Sequence, residues 1–217
     1  MGRGPRNMGN LKRQPPFKIP RDRVLIVCEG EETEPLYFRH LISKLRLSSA
    51  RVQVVGKACG SAPKSVVEYA IDAIRNEMDN PYDQVWCVID VEIPRHISLN
   101  VAYQNIISYN PPHGIETSLK SALSNPCFEY WYILHHQKTS QTFMTKKQLL
   151  GVLKNCISSY DKTDDKIPEQ LYPKLETAIQ HAKEVIREKH YGDDLRDCNP
   201  STHVHLLVEY LQEIAKR

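Results

Sequence analysis

Apolar residues along the chain fall into runs that alternate between strand-like and helix-like spacing. Aliphatic and β-branched residues dominate three short runs, over 23–28, 51–56 and 84–92, which predict strands. Apolar residues recur at helical spacing over 33–46 and 63–78, which predicts helices between those strands. Strands that alternate with helices of this length are typical of a parallel sheet with right-handed crossovers, covered by helices on both faces. The pattern therefore predicts an α/β fold.

After the third strand the pattern changes from alternation to an almost continuous series of helices. Residues 116–123 predict one more short strand, and a loop with one helix is expected over 93–113. The helices predicted beyond residue 125 cover 127–136, 146–159, 168–189 and 203–216. We expect a single domain over 21–217, with an α/β core over about 21–125 and a helical extension over about 126–217 that packs on the same core.

The composition is that of a soluble globular protein. Of the 217 residues 41% are apolar and 25% are charged, and no apolar run approaches the roughly 20 residues of a membrane span. The N-terminus has no apolar segment resembling a signal peptide, so a cytoplasmic location is expected. Six scattered cysteines, without a CxxC pair, are expected to be small core residues with free thiols.

The net positive charge of the chain comes from its first 20 residues. These contain five lysines and arginines and no acidic residue, which leaves 24 basic and 26 acidic residues in the rest of the chain, a net charge of −2. Prolines and glycines in the same segment disfavour regular structure, so a flexible basic arm is expected over 1–20. Such an arm could contact nucleic-acid phosphates or be a solvated extension.

Two of the predicted strands end in carboxylates. Glu29 follows the first strand, and Asp90 and Glu92 close the 84–92 strand, where their spacing would direct both side chains to one face. Because parallel strands present their carboxyl ends at one edge of a sheet, three carboxylates are expected to meet there. Oxygen ligands of this kind suit Mg²⁺ or Mn²⁺, which can polarise a phosphoryl oxygen and generate hydroxide. The alternative is that these acids are solvated or cap the following helix.

Four segments of the chain resemble the motifs of the RloB-like family, in the family's order. They are 24–35 (VLIVCEGEETEP), 88–92 (VIDVE), 124–131 (SNPCFEYW) and 199–205 (NPSTHVH). RloB-like proteins resemble the topoisomerase-primase (Toprim) fold, in which catalytic members hold Mg²⁺ with a glutamate after the first strand and an Asp-x-Asp pair after a later one. The resemblance implies a compact Toprim-like domain with a largely parallel central sheet flanked by helices.

The resemblance also implies roles for individual residues. Glu29 matches the Toprim glutamate, which would position metal or act as a base, and Asp90 matches the first acid of the pair. Glu92 stands where an aspartate is expected, so its longer side chain leaves the activity open. Glu129 would assist as a further ligand or water-orienting group; by spacing alone it is a surface acid of a helix beginning near Asn125. The predicted catalytic residues are thus Glu29, Asp90 and Glu129, and the predicted metal ligands are Glu29, Asp90 and Glu92.

Four further residues are secondary candidates. Glu34 is at best an additional ligand, and Asn125 is expected to fix the turn into the aromatic helix. Lys57 borders a Gly-Ser loop and could meet a phosphate, although no Walker motif follows it. His135 could act as a general acid or simply pack at the end of that helix. The segment 199–202 is expected to cap the last helix, with phosphate contact as the alternative.

The function that the resemblance implies is a Mg²⁺-dependent Toprim-type nuclease. It would hydrolyse phosphodiesters of DNA or RNA in prokaryotic antiviral defence by abortive infection, often with an ATPase partner protein and without a membrane. The alternative is a non-catalytic binding or sensor subunit of a defence complex, which the altered acid pair and the net charge of −2 keep open. A third option is an enzyme acting on small phosphorylated molecules. A homo-oligomer through the C-terminal helices is also compatible with the pattern.

Overall fold

One sheet of five strands organises the chain, and its first four strands are parallel. The computed structural model describes residues 22–48, 51–189 and 195–217, so the arm predicted over 1–20 lies outside the described residues. The strands are β1 (Val24–Cys28), β2 (Val52–Val55), β3 (Gln84–Asp90), β4 (Ser118–Asn125) and β5 (Ser201–Thr202). Their order across the sheet is β2-β1-β3-β4-β5, with β5 antiparallel to β4. The predicted α/β class with a largely parallel sheet is confirmed.

Helices cover both faces of this sheet. They are α1 (Thr33–Lys44), α2 (Pro63–Asn76), α3 (Leu99–Ile107), α4 (Glu129–Leu134), α5 (Lys146–Cys156), α6 (Ile167–Leu171), α7 (Leu175–Glu188) and α8 (Val204–Lys216). Short 3-10 turns lie at Lys57–Cys59, Tyr172–Lys174 and Leu195–Asp197. Within the described residues, none of the helices combines the length and the apolar character that crossing a membrane requires. All six cysteines have free thiols, as predicted.

β1 is buried on both faces, which explains its unbroken apolar run. Val24 and Ile26 belong to a core formed with α1, α4, α5, α7 and α8, whereas Leu25 and Val27 belong to a core formed with α2 and α3. All five residues of the strand are at most 2% exposed. Successive side chains of a strand point to opposite faces, so a strand covered on both sides must be apolar at every position.

An aromatic cluster holds α1 against α4 on the first of these faces. Tyr37 and Phe38 of α1 meet the rings of Phe128, Trp131 and Tyr132, with centroids 5.4 to 6.4 Å apart and mostly edge-to-face. Such pairs contribute about 0.5–1.5 kcal/mol each beyond the burial of their surface. The cluster therefore fixes the first turns of two helices that carry carboxylates of the candidate site.

Several element boundaries differ from the sequence predictions, and three of the differences have a clear physical reason or a large extent. The strand predicted over 116–123 begins two residues later and continues to Asn125, because β5 pairs with its end. The helix predicted over 168–189 is divided into α6 and α7 by a 3-10 turn that contains Pro173, a residue without an amide proton to donate. The aromatic helix predicted over 127–136 is reduced to the six residues of α4.

β5 lies within the segment 199–202, where a helix cap was predicted, with phosphate contact as the alternative. Thr202 pairs with Ser124 of β4, and their hydroxyl oxygens are 3.0 Å apart. Thr202 Oγ1 also accepts a hydrogen bond from the backbone N–H of Val204 (3.1 Å), so it supports the start of α8 as well as the sheet. A strand of two polar residues produces no apolar run, which is why the hydrophobic pattern did not predict it.

Gly56 directly follows β2 and lies close to the turn after β1, so a larger residue at this position is expected to lower the stability of the fold. A β-carbon at Gly56 would lie 2.7 Å from Pro35 Cγ and 2.8 Å from the carbonyl oxygen of Gly30. We expect Gly56→Ala to lower the free energy of unfolding by about 1–3 kcal/mol, because overpacking forces the backbone to shift. Urea unfolding measures the change.

Gly151 provides the matched control. It lies in the middle of α5, where a β-carbon meets no other described group within 4 Å beyond its own helix backbone. We expect Gly151→Ala to raise the free energy of unfolding by about 0.5–1 kcal/mol, because glycine is a poor helix former. Equal changes in the two variants would contradict the close approach at Gly56.

Candidate active site

The carboxyl ends of β1 and β3 bring two of the candidate residues into direct contact. Glu29 follows β1, and its backbone N–H donates to the carbonyl of Val88 (3.0 Å), which extends the pairing of the two strands by one residue. Asp90 is the last residue of β3, and its backbone N–H donates to Glu29 Oε2 (2.9 Å). The Glu29 side chain is therefore held across the end of β3.

Two further carboxylates reach the same edge from helix starts. Glu34 lies in the first turn of α1, and its carboxylate covers Gly30 so closely that a β-carbon there would collide with it. Glu129 is the first residue of α4, and its Oε1 lies 3.8 Å from Lys146 Nζ and 3.5 Å from the Tyr160 hydroxyl. The positive end of a helix dipole favours an acidic side chain at both positions.

These side chains line a cleft of about 500 Å³ at the edge of the sheet. The charged residues of its lining are Glu29, Glu31, Glu32, Glu34, Asp90, Glu92, Glu129, Lys146 and Lys162. A second cleft of about 450 Å³ lies beside it and shares Glu92 and Lys146 with the first. The first cleft is strongly acidic, so it attracts cations, and a phosphate enters it only if positive charge is supplied.

Glu92 does not occupy the strand position that its spacing predicted. β3 ends at Asp90, and Glu92 has a φ of 63°, a left-handed conformation with which the chain leaves the strand direction. The backbone N–H of Glu92 donates to the carbonyl of Pro126 (2.8 Å), so this segment follows the end of β4. The prediction that Asp90 and Glu92 lie on one strand with their side chains on the same face is therefore wrong. Glu92 lines the rim of the cleft as an exposed residue.

Three of the secondary candidates, Asn125, Lys57 and His135, lie outside the lining of this cleft. Asn125 Nδ2 donates to two carbonyls of the turn Leu195–Asp197 (3.1 and 3.2 Å), a structural role that ties down the end of β4. His135 is buried, with Nδ1 2.9 Å from the carbonyl of Trp131, and burial lowers its pKa to about 3, which leaves it neutral at physiological pH. Lys57 is exposed.

Cys127, Lys146 and Lys162 belong to the site or its lining and were not predicted to do so. Donor atoms of Cys127, Asp90 and Glu129 lie within 4.8 Å of one another. Cys127 was predicted to be a core residue, and it is 2% exposed. In the sequence, only its position two residues before Glu129 indicated that it could lie at the site. Lys146 begins α5 after the capping residue Thr145, and nothing in its sequence surroundings distinguishes it from a solvated lysine.

Burial of these carboxylates increases their affinity for protons. Removal from water raises the pKa of Glu29 to about 8, and the carboxylates of Glu92 and Glu34 add to this effect. Burial likewise raises the pKa of Glu34 to about 7 and that of Asp90 well above its ordinary value. The Lys146 ammonium acts in the opposite direction on all three pKa values without offsetting the burial.

The same residues fit a divalent metal ion. Asp90 Oδ1 is buried and has no hydrogen-bond partner among the described residues, which is costly for a carboxylate oxygen unless a cation lies beside it. Asp90 and Glu129 offer oxygen atoms at one place, where Mg²⁺ or Mn²⁺ would find ligands of the preferred kind. Glu29 and Glu34 add negative charge around that place.

The raised pKa values predict that the metal-free protein loses stability as the pH rises. A group whose pKa is higher in the folded than in the unfolded state stabilises the fold below its unfolded value, and this contribution is lost as the pH rises through the folded value. For Glu29 and Glu34 the window extends from 4.5 to about 8 and to about 7, respectively. We expect the free energy of unfolding to fall by on the order of a few kcal/mol across it.

Urea unfolding with a metal chelator, at a series of pH values across this window, measures the effect. Glu29→Gln should flatten the profile, because an amide does not titrate. Glu68→Gln is the matched control, since Glu68 is an exposed acid on α2, and it should keep the wild-type slope. A stability that rises with pH over the same window would contradict the burial of these carboxylates.

Comparison with known proteins assigns the chain to a family. A family model described as RloB-like protein matches residues 24–211. No curated protein and no solved structure matches the chain. The match begins at the first residue of β1 and ends within α8, so it contains all the strands described above and the whole lining of the cleft. The chain therefore belongs to the RloB-like family.

Proposed function

We propose that this chain is a metal-dependent nuclease that hydrolyses nucleic-acid phosphodiesters. The observation that carries the proposal is the unpartnered Asp90 Oδ1 within a buried group of carboxylates at the carboxyl ends of two parallel strands. Functional sites of parallel sheets lie at such edges, and carboxylate oxygens hold the metal ions used in phosphoryl chemistry. The resemblance of RloB-like proteins to Toprim enzymes supports the same reaction.

Asp90 and Glu129 would hold Mg²⁺ or Mn²⁺, with Glu29 and Glu34 beside them. When bound, the ion would polarise a phosphoryl oxygen and lower the pKa of a coordinated water. Glu29 is fixed by the hydrogen bond from the Asp90 N–H, and burial raises its pKa to about 8. A cation bound beside Glu29 would lower this pKa, so that the carboxylate would take a proton from a water near neutral pH and return it later, which is the task of a general base.

Lysines provide positive charge at the mouth of the cleft. Lys146 Nζ lies 3.8 Å from Glu129 Oε1, and its side chain is 53% exposed, so the ammonium is free to turn towards a phosphate. Lys162 lines the same cleft. The neighbouring cleft, whose lining includes Arg95 and His96, offers space for the nucleotide next to the cleaved phosphate. Polynucleotides, either DNA or RNA, are the substrate class that would use both clefts.

The proposed setting follows from the family. The RloB-like assignment supports a role in prokaryotic antiviral defence by abortive infection, in the cytoplasm and with an ATPase partner protein. Assembly into a homo-oligomer through the C-terminal helices belongs to the same proposal.

A non-catalytic binding or sensor subunit is the second candidate function, and the position of Glu92 favours it. In the Toprim motif two acids follow the strand, but here the second one leaves the strand direction with a left-handed backbone conformation and lies exposed at the rim. A site with fewer ligands around Asp90 could bind metal and nucleic acid without cleaving.

Mutation of the two acids at the strand ends tests the nuclease proposal. We expect wild-type protein, alone or with its ATPase partner, to cleave DNA or RNA in the presence of Mn²⁺, and Glu29→Gln or Asp90→Asn to reduce the rate at least about a hundredfold. Glu68→Gln serves again as the exposed control and should retain the wild-type rate. The measurement is the initial rate of cleavage of labelled oligonucleotides.

Binding assays on the same proteins separate the two candidate functions. Wild-type protein that binds Mn²⁺ and oligonucleotides but cleaves neither DNA nor RNA would identify a binding subunit. Undiminished cleavage by Asp90→Asn would rule out the proposed site.

A further inference from the structure

We infer that Cys127 is a thiol ligand of this metal centre, which therefore prefers an ion such as Co²⁺ or Zn²⁺ to Mg²⁺. The inference rests on the proposed metal site and specifies its chemistry. It departs from an all-carboxylate centre, in which every protein ligand is an oxygen atom.

The positions of three donor atoms carry the inference. One atom each from Asp90, Cys127 and Glu129 lies within 4.8 Å of the others. Around a tetrahedral ion, oxygen and sulfur ligands at about 2.1 and 2.3 Å from the metal are about 3.6 Å apart. Side-chain rotations that shorten the separations by on the order of 1 Å would therefore bring all three atoms to a single ion.

The surroundings of Asp90 provide a second observation that points to a cation at this place. Asp90 is half-buried, and its Oδ1 atom is buried without a hydrogen-bond partner among the described residues. Asp90 also lines the acidic cleft, so an ion entering from solvent reaches it directly. The thiol of Cys127 therefore stands beside an oxygen atom that lacks a partner.

Cys127 lies in the wall between the two clefts. Cys127 lines the second cleft, whereas Asp90 and Glu129 line the first. The sulfur atom lies within 4.8 Å of a carboxylate oxygen of Glu129. When an ion binds, the S–H bond breaks, the proton leaves to solvent, and a sulfur–metal bond takes its place.

Thiolate sulfur changes the preference of the centre among metal ions. Carboxylates and water suit Mg²⁺ and Mn²⁺, whereas thiolates favour softer ions such as Zn²⁺. A mixed set of two carboxylates and one thiolate suits a borderline ion, and it gives Mg²⁺ a ligand that this hard ion disfavours.

A second thiol near the site provides an internal contrast. Burial raises the pKa of the Cys59 thiol, and the negative charges of Glu29 and Glu34 add to this effect. Its Sγ nevertheless donates to the carbonyls of Cys28 (3.0 Å) and Gly56 (2.8 Å). Its sulfur is thus engaged by the backbone and does not belong to the group of donor atoms around Asp90.

Cobalt spectroscopy on the full-length protein tests the thiol ligand. Addition of Co²⁺ to wild-type protein under a thiol-free reductant should produce a near-ultraviolet sulfur-to-cobalt charge-transfer band. The band should persist in Cys59→Ser and disappear in both Cys127→Ser and Cys127→Ala. Far-ultraviolet circular dichroism shows that each variant is folded.

Competition experiments measure the preference among ions. Cys127→Ser should weaken Zn²⁺ and Co²⁺ binding at least about tenfold, the lower end of what disturbing a metal site costs, and should leave Mg²⁺ binding nearly unchanged. Equal losses for all ions, or a charge-transfer band that survives in both Cys127 variants, would overturn the inference. Absence of any Co²⁺ binding by wild-type protein would overturn it as well.

The outcomes for the thiol ligand and for the nuclease can be told apart. Metal-dependent cleavage without a cysteine-dependent band would leave the proposed nuclease standing and reject Cys127 as a ligand. A cysteine-dependent band in a protein that cleaves neither DNA nor RNA would establish the ligand and reject the nuclease.

Discussion

The hydrogen bond from the Asp90 backbone to the Glu29 carboxylate is the constraint on which the site depends. It joins the ends of the two central strands and places two acids at one edge of the sheet. α1 and α4 then add Glu34 and Glu129 to that edge, because the aromatic cluster holds their first turns in place. Burial by the same packing removes Glu29, Glu34 and Asp90 from water and raises their pKa values, so their surroundings favour a proton or a metal ion.

Stability and chemistry therefore oppose each other in this domain. A group of acids at the end of two buried strands destabilises the fold whenever the acids are ionised without a cation. The apolar cores on both faces of the sheet offset that cost, since they bury β1 completely and enclose α4. The packing is also close at Gly30 and Gly56. The turn after β1 lies against the end of β2, and the Glu34 carboxylate covers this turn.

Sequence reasoning predicted the parts of this structure that depend on long patterns. The aliphatic runs of β1 and β3 predicted a parallel sheet, and parallel topology alone implied that Glu29 and Asp90 meet. Prediction from the sequence failed where one or two residues determine the path of the chain. The left-handed conformation of Glu92 and the two-residue strand β5 leave no periodic signature. Cys127 enters the site through tertiary contacts that spacing along the chain does not encode.

The pairing of β4 with β5 has a consequence for the order in which the site is completed. The carboxylates of the cleft all lie before residue 130, but on the side away from β3 the end of β4 is contacted by the turn Leu195–Asp197 and by β5. During translation, every acidic residue of the cleft is therefore synthesised well before β5, the strand that covers this side of the sheet. On a nascent chain, the edge that carries Ser124 and Asn125 remains open until synthesis has passed Thr202.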